Sequence, residues 1–112
     1  MNNFSIIIPT FREKKNIYIL VKKIKKFLNK VNYEIIFVDD DSQDGSHQIF
    51  KDIKKKEKKF SFYIRKEKIK DLSKSIMLGV KKSKFKNLVV MDGDLQHDPK
   101  YLPILFKNFI EK

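Results

Sequence analysis

Four short apolar runs, each followed by apolar residues at helical spacing, constrain this chain more than any other feature. Phe4-Ser5-Ile6-Ile7-Ile8 reads as a first strand, rich in β-branched residues and stopped by Pro9. After a loop from Thr10 to Glu13, the residues Ile17, Leu20, Val21, Ile24, Phe27 and Leu28 recur on one helical face. Glu34-Ile35-Ile36-Phe37-Val38 is a second strand, and Asp39-Asp40-Asp41-Ser42 follows it at once. Ser46 is placed to cap a helix that turns Ile49, Phe50 and Ile53 inward. Phe60 to Arg65 alternates as a third strand nearer an edge, and Lys66 to Lys70 is a basic loop. Asp71 is placed to cap a helix carrying Leu72, Ile76 and Val80 inward. Leu88 to Met91 is a fourth strand, apolar enough to be buried on both faces. Asp98 and Pro99 suit the cap and first position of a last helix bearing Leu102, Leu105, Phe106 and Phe109. The alternation predicts an α/β fold, a Rossmann-like parallel sheet of four β-α units with right-handed crossovers.

A chain of 112 residues, 41% apolar, suffices for one domain with a real core, and no linker or internal repeat divides it. The whole of residues 1–112 is therefore expected to be a single domain. With no cysteine, disulfides, thiolate zinc sites and cysteine nucleophiles are excluded together. No basic region followed by a long apolar segment opens the chain, so no signal peptide is visible. No apolar run approaches the ~20 residues of a membrane-spanning helix. The formal charge is +12, and Arg12 and Arg65 are the arginines among 26 basic residues. Specific nucleic-acid readers lean on arginine for bidentate base contacts, so no nucleic-acid partner is expected. The lysines fall mostly on outer helix faces, where they solvate the surface or meet anionic lipid headgroups.

In a parallel sheet, ligands bind beyond the carboxyl ends of the strands. Three polar loops meet that edge: Thr10 to Glu13, Asp39 to Ser42, and Asp92 to Gln96. In the last, Asp92 and Asp94 end an apolar run, with Gly93 between them leaving room for close approach. Paired carboxylates repel unless a proton or cation offsets them, and a divalent metal with hard oxygen ligands does so economically. Gln96 can add a carbonyl oxygen. With glycine only at positions 45, 79 and 93, neither a dinucleotide fingerprint nor a Walker loop is present. A phosphate-bearing ligand would be neutralised by metal and side chains instead.

These residues meet a family. Ile8-Pro9-Thr10-Phe11-Arg12-Glu13 is similar to I-P-T-Y-N-E, and Val38-Asp39-Asp40-Asp41-Ser42 to V-D-D-G-S or V-D-D-D-S. Met91-Asp92-Gly93-Asp94-Leu95-Gln96-His97-Asp98-Pro99 is similar to M-D-A-D-L-Q-H-P-P. In this order the chain resembles the family 2 glycosyltransferases, and among them the dolichol-phosphate (polyprenyl-phosphate) mannosyltransferases. The resemblance implies the nucleotide-binding half of a GT-A domain. Pro9, Phe11 and Glu13 would line the nucleoside pocket, and Val38 and Asp40 would contact base and ribose. Asp92, Gly93 and Asp94 would hold the sugar nucleotide, with Asp92 and Asp94 the catalytic pair. Asp94 and Gln96 would carry Mg²⁺ or Mn²⁺. The implied reaction moves a hexose from GDP-mannose or a UDP-hexose to a polyprenyl or dolichyl phosphate, with inversion. It would place the chain in the cytoplasm, peripheral at the membrane face.

Asp71 departs from the family's Gly before Leu-Ser, and Gly93 from its Ala. The family's acceptor half has no counterpart after Lys112, so the chain is expected to be the donor half of an enzyme, whether a truncated reading frame, a fragment or a subunit completed elsewhere. Two rivals stand beside transfer. One is a nucleotide-sugar-binding fragment without activity. The other is a D-x-D phosphohydrolase with Asp92 as nucleophile, which leaves the loops after the first two strands without a role.

Overall fold

The structure, a computed structural model, describes residues 3–91 and Gly93. Its elements follow in chain order as β1 (Asn3–Thr10), a 3-10 turn (Lys14–Asn16), α1 (Ile17–Phe27), β2 (Asn32–Asp39) and α2 (Ser46–Lys56). After these come β3 (Phe60–Ile64), α3 (Leu72–Lys82) and β4 (Asn87–Val90). Among the described residues the strands form one parallel sheet in the order β3-β2-β1-β4. The α/β fold expected from the alternation is the fold observed, and the segment expected as the last helix lies outside the described residues.

The strand order reverses direction between β1 and β4, which places helices on opposite faces. Phe4, Ile6 and Ile8 of β1 and Tyr33, Ile35 and Phe37 of β2 share one face by alternation. They pack with Ile17, Leu20, Val21 and Ile24 of α1 and Phe50 and Ile53 of α2. The Phe37 ring lies 5.3 Å from those of Phe50 and Phe60. Ile7 and Val38 point to the other face, under α3. A Cβ on Gly79 would lie 2.5 Å from Ile7 Cγ2 and 3.3 Å from Val38 Cγ2, so only glycine lets α3 sit this close.

Four expectations change. β1 runs through Pro9, which pairs in register with Val38. Ile7 turns its backbone toward β4, accepting from the Met91 N–H at 3.0 Å. Two residues on, Pro9 turns the same way, but β4 has ended, so the missing N–H breaks no ladder. β4 is not buried on both faces: it is an edge of the described sheet, and Leu88 and Val90 are exposed. On α3, the small residues Ser75 and Gly79 are buried, while Leu72 is exposed. Ser46 does not cap α2; its backbone N–H and hydroxyl both donate to Asp44 Oδ1 across Gly45, whose φ is +95°. Asp71 caps α3 as expected, accepting from the Lys74 N–H at 3.1 Å.

Candidate functional site

The loops leaving β1 and β2 are held together by one carboxylate. Asp39 is wholly buried, and its Oδ1 accepts from the hydroxyls of Thr10 and Ser42, each at 2.7 Å. Its Oδ2 accepts from the Ser42 N–H at 2.8 Å, and the Ser42 hydroxyl accepts from the Arg12 N–H at 2.7 Å. Asp39 is therefore spent on structure. The network also explains three non-glycine residues in the left-handed region: Arg12, Asp41 and Gln43, with φ near +55°. Such conformations each cost roughly 1–2 kcal/mol and persist where surrounding bonds over-determine them.

Asp40 faces a different partner. Its Oδ1 accepts from Arg65 Nε at 3.0 Å, and its Oδ2 accepts from Arg65 Nη2 at 3.3 Å and from the Asp71 N–H at 2.8 Å. Arg65 is itself buried, reaching Glu67 at 2.8 Å and the carbonyl of Ile69. The hydrogen bond to Asp40 outweighs burial and raises the Arg65 pKa, with the charges of Asp40, Glu67 and Asp71 adding to it. Arg65 thus ties the end of β3, the start of α3 and Asp40 into one unit.

Between these loops lies a cavity of about 360 Å³, at the lower end of the range for small-molecule sites. Pro9, Phe11, Glu13, Asp40, Ser75 and Gly93 are among its lining, with Lys70 to Leu72 closing one side. The cavity sits at the carboxyl end of the sheet, where the strand order reverses between β1 and β4. Glu13 holds the Asn16 amide at 3.1 Å. The Phe11 ring is 42% exposed, with Arg12 and Lys70 each within 6 Å of its centre. Gly93 is packed against the first loop: a Cβ there would come within 2.8 Å of Thr10 Cγ2, so the family's Ala would require Thr10 to give way.

Of the residues singled out in the sequence, Pro9, Phe11, Glu13, Asp40 and Gly93 are brought together at this cavity. Val38 is wholly buried beneath Gly79 of α3, one layer below it. Asp92, Asp94 and Gln96 lie outside the described residues. Among the described residues, no three acids or histidines gather into a cation site. Sequence reasoning missed Arg65 and Ser75. An arginine at a strand end in a chain that otherwise uses lysine was a signal for Arg65; a serine in a helix carried none.

The family model for glycosyl transferase family 2 matches residues 5–112. The chain belongs to that family. This glycosyltransferase-family chain is 39% identical over 103 residues to a dolichol-phosphate mannosyltransferase of Pyrococcus furiosus, covering 92% of the chain and 29% of the relative. A dolichol-phosphate mannosyltransferase of Saccharomyces cerevisiae is 33% identical over 94% of the chain and 40% of its own length. An uncharacterized protein of Methanocaldococcus jannaschii, MJ0544, is 38% identical over 90% of the chain and 44% of its own length. The chain thus spans 29–44% of the length of these curated relatives. Its fold matches Staphylococcus aureus TarS 1–349 with a TM-score of 0.79 at 22% identity, over 98% of the chain and 32% of TarS. TarS has also been solved in complex with UDP-GlcNAc, with the same score.

Proposed function

We propose that this chain is the donor-binding part of a glycosyltransferase that moves a hexose from a nucleotide-sugar to a polyprenyl phosphate at a membrane. The observation that carries the reading is the convergence of Glu13, Asp40 and Gly93, from loops after three different strands, on one cavity. The names of the archaeal and yeast relatives support a dolichol-type acceptor and mannose, and the TarS complex supports a nucleotide-sugar donor.

In this reading the exposed Phe11 ring offers a face for the base, and Asp40, held by Arg65, offers a fixed acceptor at its edge. Holding the donor in one pose lowers the entropic part of the barrier. By the family resemblance, Asp92 and Asp94 would hold the diphosphate side of the donor. The oxygen donors Asp94 and Gln96 suit Mg²⁺ or Mn²⁺, and such an ion would stabilise charge on the leaving diphosphate. A phosphate acceptor is already anionic near neutral pH, so direct attack with inversion needs no strong protein base. The exposed lysines fit a peripheral position at the cytoplasmic face of an anionic bilayer.

Because the chain spans less than half of its relatives, a second reading is a donor-binding unit that transfers only when completed by further sequence. Calorimetry with GDP-mannose and UDP-GlcNAc, with and without Mn²⁺, tests binding, and a polyprenyl-phosphate transfer assay tests catalysis. Metal-dependent binding with transfer is the expected result for the first reading; binding without transfer selects the second. No binding of either donor contradicts both.

A further inference from the structure

The cavity contains a polar group that the described protein atoms leave unsatisfied. Ser75 is 2% exposed and lines the cavity, yet its hydroxyl has no hydrogen-bond partner. Serine in a helix commonly returns its hydroxyl to the carbonyl one turn back. Here that carbonyl, of Asp71, accepts the Ser75 backbone N–H at 3.1 Å, and among the described residues the hydroxyl has no partner. Buried unpaired hydroxyls are costly and call for an explanation.

The packing of α3 fixes where this hydroxyl stands. Gly79 rests on Ile7 and Val38. The helix begins at the cavity rim, where the Asp71 N–H donates to Asp40 at 2.8 Å. One turn back from Gly79, about 6 Å along the axis, Ser75 stands over the next residues on the same sheet face, Pro9 and Asp40. Asp40 has capacity left as well. Its Oδ2 takes two donors, Arg65 Nη2 and the Asp71 N–H, whereas among the described residues its Oδ1 takes Arg65 Nε alone. A carboxylate oxygen accepts two hydrogen bonds, so one position on Oδ1 is open. An open acceptor and a free hydroxyl therefore share a cavity with the exposed face of Phe11.

We propose that Ser75 is a specificity-determining contact of the donor site, its hydroxyl donating to a carbonyl on the edge of the bound nucleobase while Asp40 Oδ1 accepts from the adjacent ring N–H. The assignment rests on the nucleotide-sugar reading above. Asp40 is acceptor-only, so it favours bases with a ring N–H beside a carbonyl, uracil and guanine. Adenine and cytosine turn an acceptor nitrogen toward that edge and are disfavoured.

The test is calorimetry of UDP, GDP, CDP and ADP with Mn²⁺ on the 112-residue chain and on Ser75→Ala, with Tm of the nucleotide-free proteins. The expected result is a five- to tenfold loss for UDP or GDP, about one neutral hydrogen bond, little change for CDP and ADP, and an equal or higher Tm in the variant. Equal UDP and GDP affinity in both proteins overturns the role of Ser75 while the function reading stands. A uniform loss across all four nucleotides overturns the base-edge contact. Failure of the unaltered chain to bind any of them overturns the function reading and this assignment with it.

Discussion

The helix layers on the two faces of the sheet are built from different materials. Under α1 and α2 the contacts are aromatic and aliphatic, with Phe37, Phe50 and Phe60 in mutual contact and fully shielded. Under α3 the helix offers Ser75 and Gly79 instead, and the sheet beneath offers the aliphatic Ile7 and Val38 together with the buried Glu34, bound by the Ser5 hydroxyl at 2.6 Å. Large side chains give the first face its stability by burial and dispersion. Small ones on the second bring a helix start close to the sheet rim, where Asp40 and Arg65 stand. Stability and cavity geometry are thus separable: one side holds the fold, and the other positions polar groups.

That contrast can be broken in several ways. Phe50→Ala should cost roughly 3–5 kcal/mol, the range for truncating a buried aromatic, read from urea unfolding. A loss under about 1 kcal/mol would mean the aromatic face is not the stabilising one. Gly79→Ala should cost roughly 1–3 kcal/mol, because its Cβ would meet Ile7 Cγ2 at 2.5 Å. It should also weaken nucleotide binding by lifting the start of α3, whereas Phe50→Ala should leave the affinity of the folded fraction unchanged. Arg65→Lys keeps the charge but loses the fork on Asp40. Nucleotide affinity should fall about tenfold, the order of one charge-assisted hydrogen bond, with a smaller change in Tm.

The smallest effect concerns Asp44. Burial alone would raise its pKa, but hydrogen bonds from the Ser46 hydroxyl and backbone N–H outweigh that and hold it below its ordinary value of 3.8. A depressed carboxylate stabilises the fold above its unfolded pKa, and that contribution fades as pH falls through the folded value. The Tm gap between the unaltered chain and Asp44→Ala should therefore be present near neutral pH and shrink in acid. A gap independent of pH would remove the electrostatic explanation.

Much of this was legible in the residues. The helical spacing of Ile17 to Leu28 and the unbroken apolar run of Ile35 to Val38 gave α1 and β2, because the helix buries one face and the strand buries both. Pro9 misled because a proline's effect depends on whether a neighbouring strand waits for its N–H, a tertiary fact. Leu88 to Met91 looked buried because apolar composition does not reveal which strand lies at the edge of the described sheet. At the site, the acids were readable but not their division of labour. Asp39 and Asp40 are adjacent and chemically identical, and only the positions of Thr10, Ser42 and Arg65 make one structural and leave the other at the cavity.

The proposed function requires loops from three strands to form a single nucleotide-binding rim. Its most direct test is amide chemical-shift mapping of the ¹⁵N-labelled chain titrated with GDP or UDP in the presence of Mg²⁺. Saturable shifts concentrated in residues 10–13, 39–42, 70–75 and 92–96 are the expected result. Shifts scattered over the lysine-rich outer helices, or confined to one of these loops, would contradict it.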